Sequence, residues 1–111
     1  MVASTGPRRF EVYWVCLDPT VGSEMQKTRP GVILSPDELN AHLNTVLVAP
    51  LTSTLRSYPF RPELTIKGKR GQIALDQLRV LDKMRLGRRM AVLAKPQQEM
   101  VLVLLREMFA A

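Results

Sequence analysis

Apolar and polar positions alternate in short runs along most of this chain, and the period changes only near its end. Phe10, Val12, Trp14 and Cys16 recur every second residue, which predicts a strand from Phe10 to Leu17 with Cys16 in the core. The apolar run from Gly31 to Ser35 predicts a second strand, and the β-branched segment Thr45 to Leu51 a buried third. Between them, Ser35-Pro36-Asp37-Glu38 has the character of a cap followed by a short helical turn. Residues 55–61 form a loop. Arg61 to Lys67 and Gly71 to Leu75 then flank Gly68-Lys69-Arg70, a hairpin connection in which glycine supplies the permissive backbone. Gln77 to Leu81 and Arg89 to Leu93 complete the strands, with a turn around Gly87.

The last element has a helical period. Pro96 suits a first helical position, Gln97-Gln98-Glu99 makes a polar first turn, and Met100 to Phe109 is dense in apolar residues. Met100, Leu104 and Met108 form one row and Val101, Leu105 and Phe109 another, a stripe broad enough for a core contact and a subunit interface. The fold class is therefore mainly β, a barrel or sandwich, with a C-terminal α-helix. Residues 1–8 lack any periodic pattern and read as a flexible tail before a single domain, 9–111.

Composition sharpens this picture in two respects. Sixteen Lys and Arg against ten Asp and Glu leave a formal charge of +6, which suits a polyanionic partner. One cysteine and one histidine exclude an intrachain disulfide and leave no Cys/His set with metal-ligand spacing, so neither metal nor cofactor is expected. MVASTGPRRF lacks the apolar stretch of a signal peptide, and no apolar run reaches the ~20 residues of a membrane helix, so a cytoplasmic location is expected.

The segment Leu17 to Pro36 carries the chemistry. Asp18-Pro19-Thr20 and Gly22 make turns, Glu24 supplies a carboxylate, and Arg29 stands before Pro30, which pushes it into an extended conformation at the mouth of a strand. A planar guanidinium there can give two parallel hydrogen bonds to a phosphate, although an arginine at a strand start is ordinarily a solvated surface residue. Thr52, where the third strand emerges, can offer its hydroxyl to a phosphate oxygen or simply cap a turn. Glu24 serves equally as a general base, if burial raises its pKa, or as an ion-pair partner of Lys27 or Arg29. Arg56, Tyr58 and Arg61 interleave cations with an aromatic ring in a pattern suited to single-stranded RNA, whereas Phe60 reads as local packing. Gln77 and Arg79 alternate onto one face of a strand near the site. Lys67, Lys69, Arg70, Arg85, Arg88 and Arg89 add diffuse positive charge.

The order D-P-T-x-G-x-E, then T-R-P and an apolar strand, here Asp18 to Pro30, resembles the MazF/PemK family of bacterial toxins. Pro50-Leu51-Thr52-Ser53, Tyr58-Pro59-Phe60 and Leu75-Asp76-Gln77 extend the resemblance over nearly everything from Glu11 onward. It implies a small SH3-like barrel, MazF/CcdB-like, in a homodimer. It also implies the toxin of a toxin-antitoxin module, a metal-independent endoribonuclease that cuts single-stranded RNA sequence-specifically by 2′-hydroxyl attack and so inhibits translation and growth.

On that resemblance Arg29 and Thr52 are catalytic, Glu24 is the possible base, and Ser53, Arg56, Tyr58, Gln77 and Arg79 bind RNA. Ser23 and Ala74 stand where some relatives carry a histidine and an arginine, which argues against a mechanism dependent on either. The implied partners are RNA and an antitoxin whose acidic C-terminal segment competes for the groove, with Arg88 and Arg89 available to it. The alternatives are a DNA gyrase inhibitor of the CcdB type on the same barrel and a non-catalytic RNA-binding module.

Overall fold

In the computed structural model, which describes residues 6–16 and 28–111, short alternating runs become seven antiparallel strands of one curled sheet. They are β1 (Glu11–Cys16), β2 (Thr28–Ile33), β3 (Thr45–Thr52), β4 (Glu63–Ile66), β5 (Lys69–Ile73), β6 (Arg79–Asp82) and β7 (Leu86–Val92). The helix α1 (Asp37–His42) joins β2 to β3, and α2 (Lys95–Phe109) follows β7. This is the mainly β architecture with a C-terminal helix that the pattern predicts, and its curled sheet agrees with the small barrel that the resemblance implies. Among the described residues no helix is long and apolar enough to cross a membrane.

Spatial order along the sheet is β4-β5-β3-β2-β1-β7, with β6 also paired to β3. The middle strand β3 therefore serves three neighbours. Thr45 to Val48 pair with β6, Leu51 and Thr52 pair with β5, and β2 lies along the opposite edge. Pro50, which has no N–H to give, stands where that shared edge changes partner, and its carbonyl accepts from the Ala74 amide at 2.9 Å.

Because both faces of the sheet are covered, adjacent residues of a strand enter different apolar clusters. Val32 joins the larger cluster, with Val12, Ala49, Ile73 and Val101 of α2, whereas Ile33 joins Val15, Val46, Val48 and Leu81 on the other side. Each such side chain, fully withdrawn from water, contributes roughly 1.5–3 kcal/mol before entropy is counted. Only Val101 of α2 is completely buried; Leu104, Leu105 and Met108 are partly covered and Phe109 remains 72% exposed. The broad stripe on this helix is thus met by the core along one part alone.

Several local expectations are corrected. Cys16 is half-exposed, because β1 keeps its alternation but runs past the end of the larger cluster after Val12. The β4–β5 hairpin turns at Lys67-Gly68, with φ of 52° and 79°, rather than at Gly68-Lys69-Arg70. Two successive positive φ values are what a two-residue hairpin with right-handed strand twist requires. Gln77 belongs to a 3-10 turn, Leu75–Gln77, so β6 begins only at Arg79. The reversal placed around Gly87 occurs instead at Lys83–Arg85, where the Asp82 carboxylate accepts from the Met84 amide at 2.8 Å. Gly87 itself lies in β7, close against Trp14: a Cβ there would be 3.2 Å from the Trp14 carbonyl.

Ser35 does not cap α1. Its hydroxyl donates to Asn40 Oδ1 at 2.5 Å and accepts from the Leu47 amide at 3.0 Å, while Asn40 Nδ2 donates to the Ser35 carbonyl at 2.9 Å. Both side chains are buried, so the pair satisfies polar atoms that water cannot reach and locks α1 to β3. Asn40→Ala is expected to cost about 1–3 kcal/mol, the penalty for stranding buried polar groups. Urea unfolding checks this; an unchanged midpoint would show that the pair is dispensable.

Candidate nucleic-acid interface

The start of β2 and the end of β3 meet at one end of the sheet. Their ladder runs Ile33–Val48, Val32–Ala49, Gly31–Pro50. The paired rows end at Gly31 and Pro50; Arg29 and Pro30 of β2 and Leu51 and Thr52 of β3 lie just beyond them. Gly31 permits this close crossing, since a Cβ at that position would lie 2.6 Å from a Val48 methyl. On the other side of β2, Trp14 pairs with Pro30.

These rows border a cavity of about 640 Å³. Trp14, Pro30, Leu51, Ile66 and Met90 supply its apolar lining; Arg29, Thr52, Ser53 and Thr54 stand along one side, and the β4–β5 turn brings Lys67, Lys69 and Arg70. No described carboxylate lines it, and of its four described cations only Arg70 meets one, that of Glu63. In a concave site with low-dielectric walls, such an arrangement concentrates anions.

Arg29 is exposed, and its side chain makes no hydrogen bond or ion pair to any other described residue. Thr52 is half-buried, and its Oγ1 accepts from the Thr54 amide at 3.1 Å. The turn-capping role is therefore real, and it does not use up the residue: a hydroxyl that accepts one bond still has its own proton to donate. Gly71 of β5 fixes the position of this threonine from below, because a Cβ there would stand 2.7 Å from the Thr52 carbonyl oxygen. Only glycine lets the two backbones approach so closely.

The following loop is pinned by a residue that the sequence pattern does not mark. Gln72 pairs with Thr52 in the ladder and is 3% exposed. Its side-chain amide grips the backbone of Arg56 twice, Oε1 accepting from the Arg56 amide at 3.0 Å and Nε2 donating to the Arg56 carbonyl at 2.8 Å. At the far end Phe60 takes φ of 61° and packs its ring on the larger core cluster. Arg61, expected to face phosphates, instead grips Asp76 with two bonds of 2.7 and 3.0 Å. That hydrogen bonding holds the Asp76 carboxyl below its ordinary value. Tyr58 stays 53% exposed, with the Arg61 guanidinium 4.9 Å and the Arg56 guanidinium 6.0 Å from its ring centre.

Of the predicted site residues, Arg29, Thr52 and Ser53 line the cavity together. Arg56, Tyr58, Gln77 and Arg79 do not: Gln77 is exposed on its 3-10 turn, and Arg79 is exposed on β6 opposite Val48. Glu24, with Asp18 to Gly22, lies outside the described residues. Arg89 is not a free cation, since it donates to Glu11 at 2.9 Å; that carboxylate also accepts from Tyr13, whose hydroxyl pKa is pushed up to about 12, chiefly by burial. Among the described residues no cluster of His, Cys, Asp or Glu is placed to hold a metal ion. Trp14 and Met90 carry no site signal in the sequence, where Trp14 is one of the alternating positions of a strand, and Lys67 and Lys69 read there only as diffuse positive charge.

The family model described as the PemK-like, MazF-like toxin of type II toxin-antitoxin systems matches residues 8–109. An endoribonuclease toxin MazF of Escherichia coli strain K12 is 35% identical over 79 residues, 71% of each chain. The crystal structure of MazF from Deinococcus radiodurans superposes with a TM-score of 0.79 at 25% identity, covering 97% of this chain and all of that one. A MazE-MazF structure from the same organism gives 0.69 at 27% identity, over 92% and 91% of the two chains.

Two outcomes test the local geometry. Gly71→Ala is expected to lower stability by roughly 1–3 kcal/mol, as overpacking does, and to speed amide hydrogen exchange across the β3–β5 pairing; unchanged exchange would remove the close-approach requirement. For Asp76 the folded pKa is depressed, so its contribution is present above the ordinary aspartate value of 3.8 and is lost as pH falls through the folded value. Loop 55–61 should therefore lose exchange protection on acidification below that value. Asp76→Asn should already lack this protection at neutral pH.

Proposed function

The chain belongs to the PemK-like, MazF-like toxin family of type II toxin-antitoxin systems, and from that premise we propose that RNA is bound and cut in the cavity between Arg29 and Thr52. The protein is an endoribonuclease toxin. Its substrate is RNA, and its partner is the cognate antitoxin of the module. The gyrase-directed alternative is not favoured by a family match to MazF.

The observation that carries the site is the cavity itself: room for a phosphate between a guanidinium with no described partner and a hydroxyl with a free proton, in a lining with four cations and no described carboxylate. In the reaction we propose, the 2′-oxygen attacks the adjacent phosphorus and the bond from phosphorus to the 5′-oxygen breaks. A 2′,3′-cyclic phosphate results, and the departing 5′-oxygen takes a proton from solvent to become a 5′-hydroxyl. Negative charge builds on the non-bridging oxygens, where the Arg29 guanidinium can donate two bonds and the Thr52 hydroxyl one. Glu24 is the proposed acceptor of the 2′-proton, a role that needs its carboxylate within reach of the cavity. Ser53, at the rim, and Arg56, Tyr58, Gln77 and Arg79, beyond it, are proposed to track the strand on either side of the cut.

This chemistry asks only for side chains, so the activity is proposed to be independent of metal. The exposed apolar part of α2, including Val103 and Phe109, supports a homodimer, because a second copy would cover what the core leaves open. An acidic antitoxin segment entering the same cationic cavity would block RNA directly. A cytoplasmic location follows for a toxin acting on messenger RNA.

Incubation of the purified protein with single-stranded RNA in EDTA tests the reading. Cleavage should persist, and Arg29→Ala should slow it by about 100- to 1,000-fold, the scale of losing one preorganised charge-stabilising donor; Thr52→Ala should slow it too, by less. Intact RNA, or equal cutting by the Arg29 variant, would overturn the assignment.

A further inference from the structure

We propose that Trp14 and the β4–β5 turn form a separate nucleotide subsite beside the cut, the indole stacking on a base while Lys67 and Lys69 hold its phosphate. This rests on the cavity's being the RNA site and adds residues that the Arg29–Thr52 chemistry does not use.

Trp14 is the chain's only tryptophan, and it stays 42% exposed although its strand partner Pro30 is half-buried. Its place is held by backbone rather than by a covering side chain, with β2 paired along one edge and Gly87 close against its carbonyl. An exposed, positioned indole on the lining of a cationic cavity is a stacking platform, and every base has a face to lay on it.

The two lysines come from a turn with little freedom. Lys67 and Gly68 adopt the paired positive-φ conformation of a two-residue hairpin, and Ile66 and Lys69 close the ladder across it. Neither ammonium has a hydrogen bond or ion pair to a described residue, whereas the neighbouring Arg70 is held by Glu63 at 2.9 Å. The turn thus divides its charge: one cation is neutralised in place and two are left for a ligand. Aromatic face and available cations at one cavity match the base-phosphate repeat of a nucleic acid strand. An acidic peptide would use the lysines and leave the indole without a flat partner.

A 2′-O-methyl RNA oligonucleotide of mixed sequence, which binds but offers no 2′-hydroxyl for attack, provides the probe. Its addition should quench the Trp14 emission saturably. By fluorescence anisotropy with a labelled oligonucleotide, Trp14→Ala should weaken binding roughly tenfold and Trp14→Phe far less, as stacking predicts. Replacing Lys67 and Lys69 together by alanine should weaken it and reduce the slope of log K against log salt by about 0.7 for each phosphate no longer neutralised. Thermal melting of each variant shows that it is folded.

Absence of quenching, or an unchanged salt slope, overturns the subsite while leaving the nuclease reading intact if unmodified RNA is still cut. A protein that cuts no RNA overturns that reading instead. Unchanged oligonucleotide affinity with lost affinity for a glutamate-rich peptide would assign the turn to a protein partner and also overturn the proposal.

Discussion

The close approach of β5 and β2 to the middle strand β3 is the constraint on which the rest of this structure depends. At Gly71 the neighbouring carbonyl of Thr52 occupies space that any Cβ would need, and at Gly31 a methyl of Val48 does the same. Glycine at 71 lets two backbones converge where β3 ends, and glycine at 31 makes room for the Val48 side chain. Arg29 and Thr52 then lie on the lining of one cavity, which the curled sheet leaves beyond the core. A chain with larger residues at these points could keep the apolar pattern and still lose the site, because alternation specifies faces whereas side-chain bulk specifies how near two strands come.

Charge is allocated with similar economy. Arg8, Arg61, Arg70 and Arg89 each meet a carboxylate, all but one of them with a substantially exposed side chain. Exposed pairs of this kind contribute little to stability, with a median of about 0–1 kcal/mol. Their effect is selective: they remove cations from competition and anchor loops, as Arg61 does through Asp76. Among the described residues, what remains unpaired in the cavity is Arg29, Lys67 and Lys69. The net charge of the chain therefore understates how sharply positive potential is focused.

Buried side-chain amides anchor the chain where no ion pair does. Gln72 replaces a missing strand by pairing with the Arg56 backbone, and Asn40 joins Ser35 across the start of β3. Hydrogen bonds made away from water hold their geometry because the alternative is an unsatisfied buried group. In consequence the loop carrying Tyr58 is fixed at both ends while its ring remains open to solvent.

The order of strands, the single terminal helix and the family motifs were legible in the sequence, since alternation, helical period, Pro30 and Pro96 act over a few residues. The places of Arg29 and Thr52 at strand termini were legible for the same reason, since each is marked by its neighbours. Cys16 was expected in the core, and Trp14 was given no role in the site, because alternation reports which face a residue takes and says nothing of where the core ends along the strand. Gln72 looked like a polar strand residue, and Lys67 and Lys69 like solvated charge. Their roles come from partners distant in the chain, Arg56 for the glutamine, and Arg29 and Thr52 for the lysines. Periodicity by itself determined the elements and their faces; the register of β3 with its three neighbours, which depends on residues far apart in sequence, decided which side chains share the cavity.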